Sequence, residues 1–180
     1  MEPLLTARLE LRPVTLPVVL AALEGRPRRE IEALVGAEMP WTWPSRALVE
    51  QVFQASPDAI RADPGTRLWG DRLMVLREGP PRVVGSIVFD GRPGSDGTCS
   101  IGYGVEESSQ GKGYASEALT ACIAWAFAQP ECTRIRATTT AWHKASMRVL
   151  EKVGMRRVGE KQDPDAGTML VYEIDRDDPR

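Results

Sequence analysis

The segment Ile101–Ser116, IGYGVEESSQGKGYAS, holds the residue types best suited to chemistry. Ile101, Tyr103 and Val105 alternate with Gly102, Gly104 and Glu106, which is the period of a half-buried strand. The polar run from Glu107 to Gln110 ends it, Gly111-Lys112-Gly113 makes a turn, and the residues from Tyr114, Ala115 and Ser116 onward favour a helix. A helix start bares backbone N–H groups and carries the positive end of the helix dipole, so such a turn suits a phosphate. Two glycines remove side chains that would hold the anion off, Lys112 adds positive charge, and Ser116 offers a hydroxyl. A two-glycine turn before a helix is also common without any ligand, so the turn alone leaves both readings open. It is neither a Walker A loop, since GxxxxGK[ST] is absent, nor the dinucleotide GxGxxG fingerprint.

The spacing Gln110-x-x-Gly113-x-Ala115 resembles the pyrophosphate motif of the GCN5-related N-acetyltransferases (GNAT), a superfamily that binds acetyl-CoA. A second segment, HKASMRVLEKVGM from His143 to Met155, resembles that family's NxxSxxxLEKxGF signature except at its first and last positions. The opening LLTARLELRPV is similar to the first strand of the ribosomal-protein N-acetyltransferase branch. The likeness spans nearly the whole chain and is loosest over Val14 to Pro80.

The resemblance implies an α/β (α+β) fold: a mixed, mostly antiparallel twisted sheet of six to seven strands, flanked by helices, whose central parallel strands splay apart. It implies acetyl-CoA as co-substrate, with the backbone of Gly111, Lys112, Gly113, Tyr114, Ala115 and Ser116 on the diphosphate and Gln110 beside it. Backbone around Tyr103, Gly104 and Val105 would polarise the thioester carbonyl, with Gly102 and Gly104 permitting a bulge and close approach of the pantetheine. Ser146 matches the serine thought to assist the leaving thiolate; a first-turn serine can instead simply satisfy helix N–H groups. Leu150 stands where other members carry an acidic tyrosine. His143 replaces the motif asparagine, as a pantetheine contact or a titrating acid or base. Cys99 falls at the strand carboxylate position of the histone-acetylating members, and the branch pattern puts a base-like carboxylate near Asp165, with Glu106 and Glu107 as rivals. The acceptor is then a primary amine, of a peptide or a small molecule. Two other readings stand beside this one: a non-catalytic CoA-binding or sensor module, and a nucleotide-binding protein using the same glycine turn.

Composition bounds these readings. A chain of 180 residues is most simply one domain with a substantial core. A net charge of -2 argues against a nucleic-acid footprint, which is basic. No apolar run approaches the roughly 20 residues of a membrane span, and the start, MEPLLTARLE, lacks the basic region of a signal peptide. Cys99, Cys122 and Cys132 form no CxxC pair and His143 is the only histidine, so no metal site is expected. Reduced thiols favour the cytoplasm; a monomer or homodimer is expected.

The elements that must position these residues follow from periodicity. Thr6–Val14 predicts a strand, Leu16–Leu23 a helix capped by Thr15 and closed by Gly25, and Arg28–Val35 a helix ended by Gly36. Met39–Pro44 predicts a proline-bounded loop in which Trp41 and Trp43 cover the core or line the acceptor cleft, and Ser45 caps a further helix. Ala62–Thr66 reads as a loop, Leu68–Arg77 and Arg82–Phe89 as an antiparallel pair leading into the Ile101 strand, 113–127 as a helix, Arg134–Thr140 as a strand, His143–Val153 as a helix ended by Gly154, and Arg156–Lys161 with Thr168–Ile174 as a hairpin.

Overall fold

The computed structural model describes residues 1–40 and 57–178. Trp41, Trp43 and the helix expected after Ser45 lie outside the described residues. Eight strands form one sheet: β1 Leu4–Leu5, β2 Leu9–Pro13, β3 Arg72–Leu76, β4 Val83–Phe89, β5 Thr98–Val105, β6 Arg134–Thr140, β7 Arg156–Asp163 and β8 Gly167–Asp175. Their order is β1-β2-β3-β4-β5-β6-β8-β7, antiparallel throughout except for the β5–β6 pair. The helices are α1 Leu16–Leu23, α2 Arg28–Val35, α3 Pro57–Ala62, α4 Pro64–Arg67, α5 Tyr114–Phe127 and α6 Lys144–Lys152.

The sheet exceeds the expected six to seven strands because a short strand, β1, precedes the expected Thr6–Val14 strand and pairs with it. The Thr6 N–H donates to the Leu9 carbonyl at 2.9 Å and the Thr6 hydroxyl accepts the Leu9 N–H at 3.0 Å, which turns the chain between β1 and β2. The expected loop at Ala62–Thr66 is also corrected. Its turn-forming residues start a helix: Asp63 is an N-cap that accepts the Thr66 N–H at 3.0 Å, and Pro64 takes the first helical position. Thr15 stands at the N-cap of α1, but its side chain makes no cap bond. No bulge occurs at Gly102 or Gly104, which pair in register with Val88 and Ser86; the register shifts instead fall at Met74/Val75 and Arg157/Gly159.

Strand alternation gives the sheet two faces. On one, α5 and α6 cover a core that includes Leu9, Leu11, Met74, Ile87, Ile101, Leu119, Ile135, Leu150 and Tyr172. On the other, Leu73, Val75 and Val83 pack with Ala37, Met39 and α2 residues Ile31 and Val35.

The first core also holds two buried ionisable residues. Arg72 is fully buried, donates to the carbonyls of Glu2 (2.9 Å) and Leu11 (3.2 Å), and lies 4.9 Å over the Trp125 ring. Asp71 accepts the Phe89 N–H at 2.7 Å, yet burial pushes its carboxyl up to about 8. A carboxyl kept neutral by folding stabilises most at low pH. As pH rises from about 4 to about 8 the unfolded chain ionises while the folded one keeps the proton, and that stability is lost; above about 8 both ionise and the loss levels off. Asp71→Asn, which keeps an acceptor for Phe89, should therefore gain stability over the parent progressively across this window. Urea unfolding at both ends of it checks this; a pH-independent difference would contradict it.

Candidate active site

β5 and β6 pair through only three residues each, Thr98 with Arg134, Cys99 with Ile135 and Ser100 with Arg136. Past them β5 continues beside β4 to Val105, and β6 beside β8 to Thr140, so the parallel strands part into an open V. The ladder with β4 decides which backbone groups face the gap. Asp90 N–H donates to Ser100 O at 3.0 Å and Glu106 N–H to Val84 O at 2.9 Å, so the even-numbered residues between them bond to β4. Tyr103 and Val105 therefore turn their N–H and C=O groups toward the V. Gly104 presents its own to β4 and contributes only a bare face, and the Val105 carbonyl takes a 3.0 Å bond from Gln110 Nε2.

A short 3₁₀ turn, Glu107–Ser109, leads from β5 to the glycines. Gly111 and Gly113 have φ of 73° and 82°, in the left-handed region that favours glycine, and Gly113 is the N-cap of α5. Helical bonding begins with Glu117 N–H to Gly113 O. Among the described residues no acceptor takes the N–H groups of Gly111, Lys112, Gly113, Tyr114, Ala115 or Ser116. Six consecutive unbonded donors make this helix start a candidate anion cradle. Lys112 is exposed beside it, whereas Ser116 is buried.

The structure brings Ser146 to the V and keeps His143 at its rim. Ser146, in the first turn of α6, is 8% exposed, and its Oγ lies 2.8 Å from the Tyr103 hydroxyl, which also donates to the Ser146 carbonyl at 3.1 Å. This bond reaches from β5 across the V to the helix that follows β6. Burial raises the Tyr103 pKa, the Ser146 bond opposing it, so the phenol stays protonated. Sequence reading had assigned Tyr103 a backbone role only; nothing local signals a contact 43 residues away. His143 is the N-cap of α6 but makes no side-chain cap bond, and its ring lies 5.6 Å from that of exposed Trp142.

The candidate carboxylates separate clearly. Glu106 accepts from Ser108 Oγ and N–H, from Arg82 at 3.0 Å and from Ser109 Oγ at 3.2 Å, and these bonds, the Ser108 hydroxyl first, hold it down at about 2. Glu107 is exposed. Asp163 organises the β7–β8 turn, its carboxylate accepting the N–H groups of Ala166 (2.9 Å) and Asp165 (3.1 Å). Asp165 is exposed, and only its backbone takes part in that bonding. The turn lies just beyond the Thr140–Met169 pair, at the end where the V opens. Cys99 is buried with its Sγ 3.5 Å from that of Cys132, far from any base-like setting. Among the described residues no group of three His, Cys, Asp or Glu side chains could hold a metal.

On the α2 face, a cleft of about 620 Å³ at the end of β5 is lined by Arg28, Glu38, Met39, Arg82, Glu106 and Ser108.

A sheet parted between parallel strands, with an anion cradle at its mouth, defines an acyltransferase architecture. The acetyltransferase (GNAT) domain family matches residues 8–156, and the chain belongs to that family. The uncharacterized N-acetyltransferase YnaD of Bacillus subtilis (strain 168) is 40% identical over 89 residues, 49% of this chain and 52% of that protein. The chain thus matches about half the length of that relative. The GNAT-family acetyltransferase structure from Bacillus anthracis superposes with a TM-score of 0.65 at 23% identity, covering 98% of this chain and 99% of that one. A ribosomal L7/L12 α-N-protein acetyltransferase, RimL, solved in complex with coenzyme A, gives 0.64 at 17% identity over 97% and 98%. At these identities the two structures establish the fold. Among the described residues no helix is long and apolar enough to cross a membrane.

Proposed function

We propose that this protein moves an acetyl group from acetyl-CoA to a primary amine, by direct attack within a ternary complex. The observation that carries the reading is the run of six unpartnered amides, Gly111 to Ser116, at the mouth of the parted sheet. They hold the diphosphate, Lys112 adds charge, and the pantetheine arm runs into the V beside Tyr103 and Val105. The N–H of one of these two polarises the thioester carbonyl, where a preorganised donor acts on the charge that develops in the transition state. The amine attacks the carbonyl carbon, the C–S bond breaks, and the electron pair leaves on sulfur. With the Tyr103 hydroxyl turned to donate to Ser146 Oγ instead of the Ser146 carbonyl, Ser146 Oγ donates its own proton in a hydrogen bond to that thiolate. His143, at the solvent-facing rim, contacts the arm where it enters.

The acceptor comes from the opposite face, through the cleft beside Glu38 and Glu106, so the two substrates do not compete for space. Its carboxylates suit a cationic amine, either a protein N-terminus as in the ribosomal-protein branch or a small molecule. Asp165 relays the amine proton to solvent. Glu106 is unsuited to that task because its bonds hold it in the weakly basic, ionised form. The protein works in the cytoplasm, as a monomer or homodimer.

A non-catalytic CoA sensor is the second reading, favoured by Leu150 in the tyrosine position and by the exposure of His143.

Calorimetry with acetyl-CoA tests the core of the proposal: neither heat nor a thermal shift at about millimolar ligand would remove it. Gly113→Glu should abolish binding while the fold persists, since a side chain at a φ of 82° strains the turn and its β-carbon comes against Arg8; unchanged affinity would mean the site is misplaced. Thiol release against an amine panel separates enzyme from sensor. Ser146→Ala should lower kcat about tenfold with little change in KM for acetyl-CoA. Turnover on no amine would favour the sensor.

A further inference from the structure

The opening motif Thr6-Ala7-Arg8 lies on the other side of the chain from the glycine turn in sequence, yet it reaches that turn in space. Arg8 Nη1 donates to the Lys112 carbonyl at 2.7 Å. Its Nε and Nη2 both engage Glu117 Oε2, at 2.7 and 2.6 Å. Glu117 Oε1 accepts the Arg8 N–H at 2.8 Å and the Thr6 hydroxyl at 2.6 Å. The guanidinium also lies 4.7 Å over the Tyr114 ring, and a Cβ placed on Gly113 would sit 3.4 Å from Nη2.

Two consequences follow. The first concerns the Lys112–Gly113 peptide. A trans peptide puts C=O and N–H on opposite sides, so holding the Lys112 carbonyl against Arg8 aims the Gly113 N–H the other way, into the cradle. Glycine flanks Lys112 on both sides, and glycine takes either sign of φ readily, so this peptide has little else to keep it from flipping. The second concerns charge. Glu117 stands one turn into α5, close to where an anion would sit. Burial pushes its carboxyl up, and the bonds from Thr6 and Arg8 more than reverse that, so it stays ionised. Arg8 cancels that charge.

We propose that Arg8 is the positioning residue of the anion cradle: it fixes the Lys112–Gly113 peptide in the donor-inward orientation and neutralises Glu117, so the turn is ready before ligand arrives. Resting on the CoA reading above, the inference gives a role to an N-terminal motif that the transfer chemistry leaves unused.

The test compares CoA with pantetheine, which lacks the diphosphate, by calorimetry on the full chain. Arg8→Met keeps the aliphatic stem and the backbone bond to Glu117 and removes every guanidinium bond; Arg8→Lys keeps the charge for Glu117 but lacks the fork needed to hold the Lys112 carbonyl as well. Both variants should weaken CoA about tenfold or more and leave pantetheine unchanged. Adding Glu117→Gln to Arg8→Met should recover only part of the loss, because it restores charge balance and not the peptide orientation. If Arg8→Lys binds CoA like the parent, or if both ligands weaken equally, the proposal falls. If the parent itself binds no CoA, the functional reading fails instead, and the two failures are distinct.

Discussion

Two parallel strands that share only three residue pairs are the constraint on which the site depends. Parallel strands in a sheet normally continue side by side, because each unpaired N–H or C=O left in the interior is costly. Here β5 and β6 each keep a full partner on the outer side, β4 and β8, so the sheet survives the break while one edge of each strand is left bare. The bare edges are strong donors and acceptors in a partly covered setting, and they favour an extended polar chain laid between them. The acyl arm of a thioester cofactor has that shape and that chemistry.

The parting also explains why the site is assembled from elements that do not touch in sequence. α5 leaves the end of β5, so its amide-rich start lies at the mouth of the V. α6 leaves the end of β6, so its first turn lies on the far side. The Tyr103–Ser146 bond joins the two sides at 2.8 Å and gives the gap a floor on the α5–α6 face. Among the described residues the opposite face has no such floor, because Gly102 and Gly104 put no side chains there. In the proposed reaction, a cofactor held from one face and an acceptor arriving from the other would meet at the same carbonyl, which is what direct transfer requires.

Much of this was legible locally. Arg28–Val35 and Arg134–Thr140 were bounded correctly because their period, and the glycine closing α2, are features of neighbouring residues. The turn into α5 was legible because glycines before a helix leave a local mark. Ala62–Thr66 was misread because Asp63 and Pro64 serve turns and helix starts alike, and packing decides between them. The Thr6–Arg8–Glu117 clamp and the Tyr103–Ser146 contact were not legible at all. Each joins residues tens of positions apart, and no periodicity records which side chains a fold will bring together.

The carboxylates show how structure sorts residues that sequence treats alike. Glu106, Glu117, Asp163 and Asp165 all lie near the site in the fold. Three are committed: Glu106 to Ser108 and Arg82, Glu117 to Thr6 and Arg8, and Asp163 to its own turn. A carboxylate already accepting several bonds has its lone pairs occupied and its basicity lowered, so it takes a proton poorly. It serves better as a fixed charge or a structural anchor. Asp165 is exposed, on a hairpin tip at the open end of the V. Of these four, only Asp165 is left without such bonds, which is why the proposed reaction assigns it the proton.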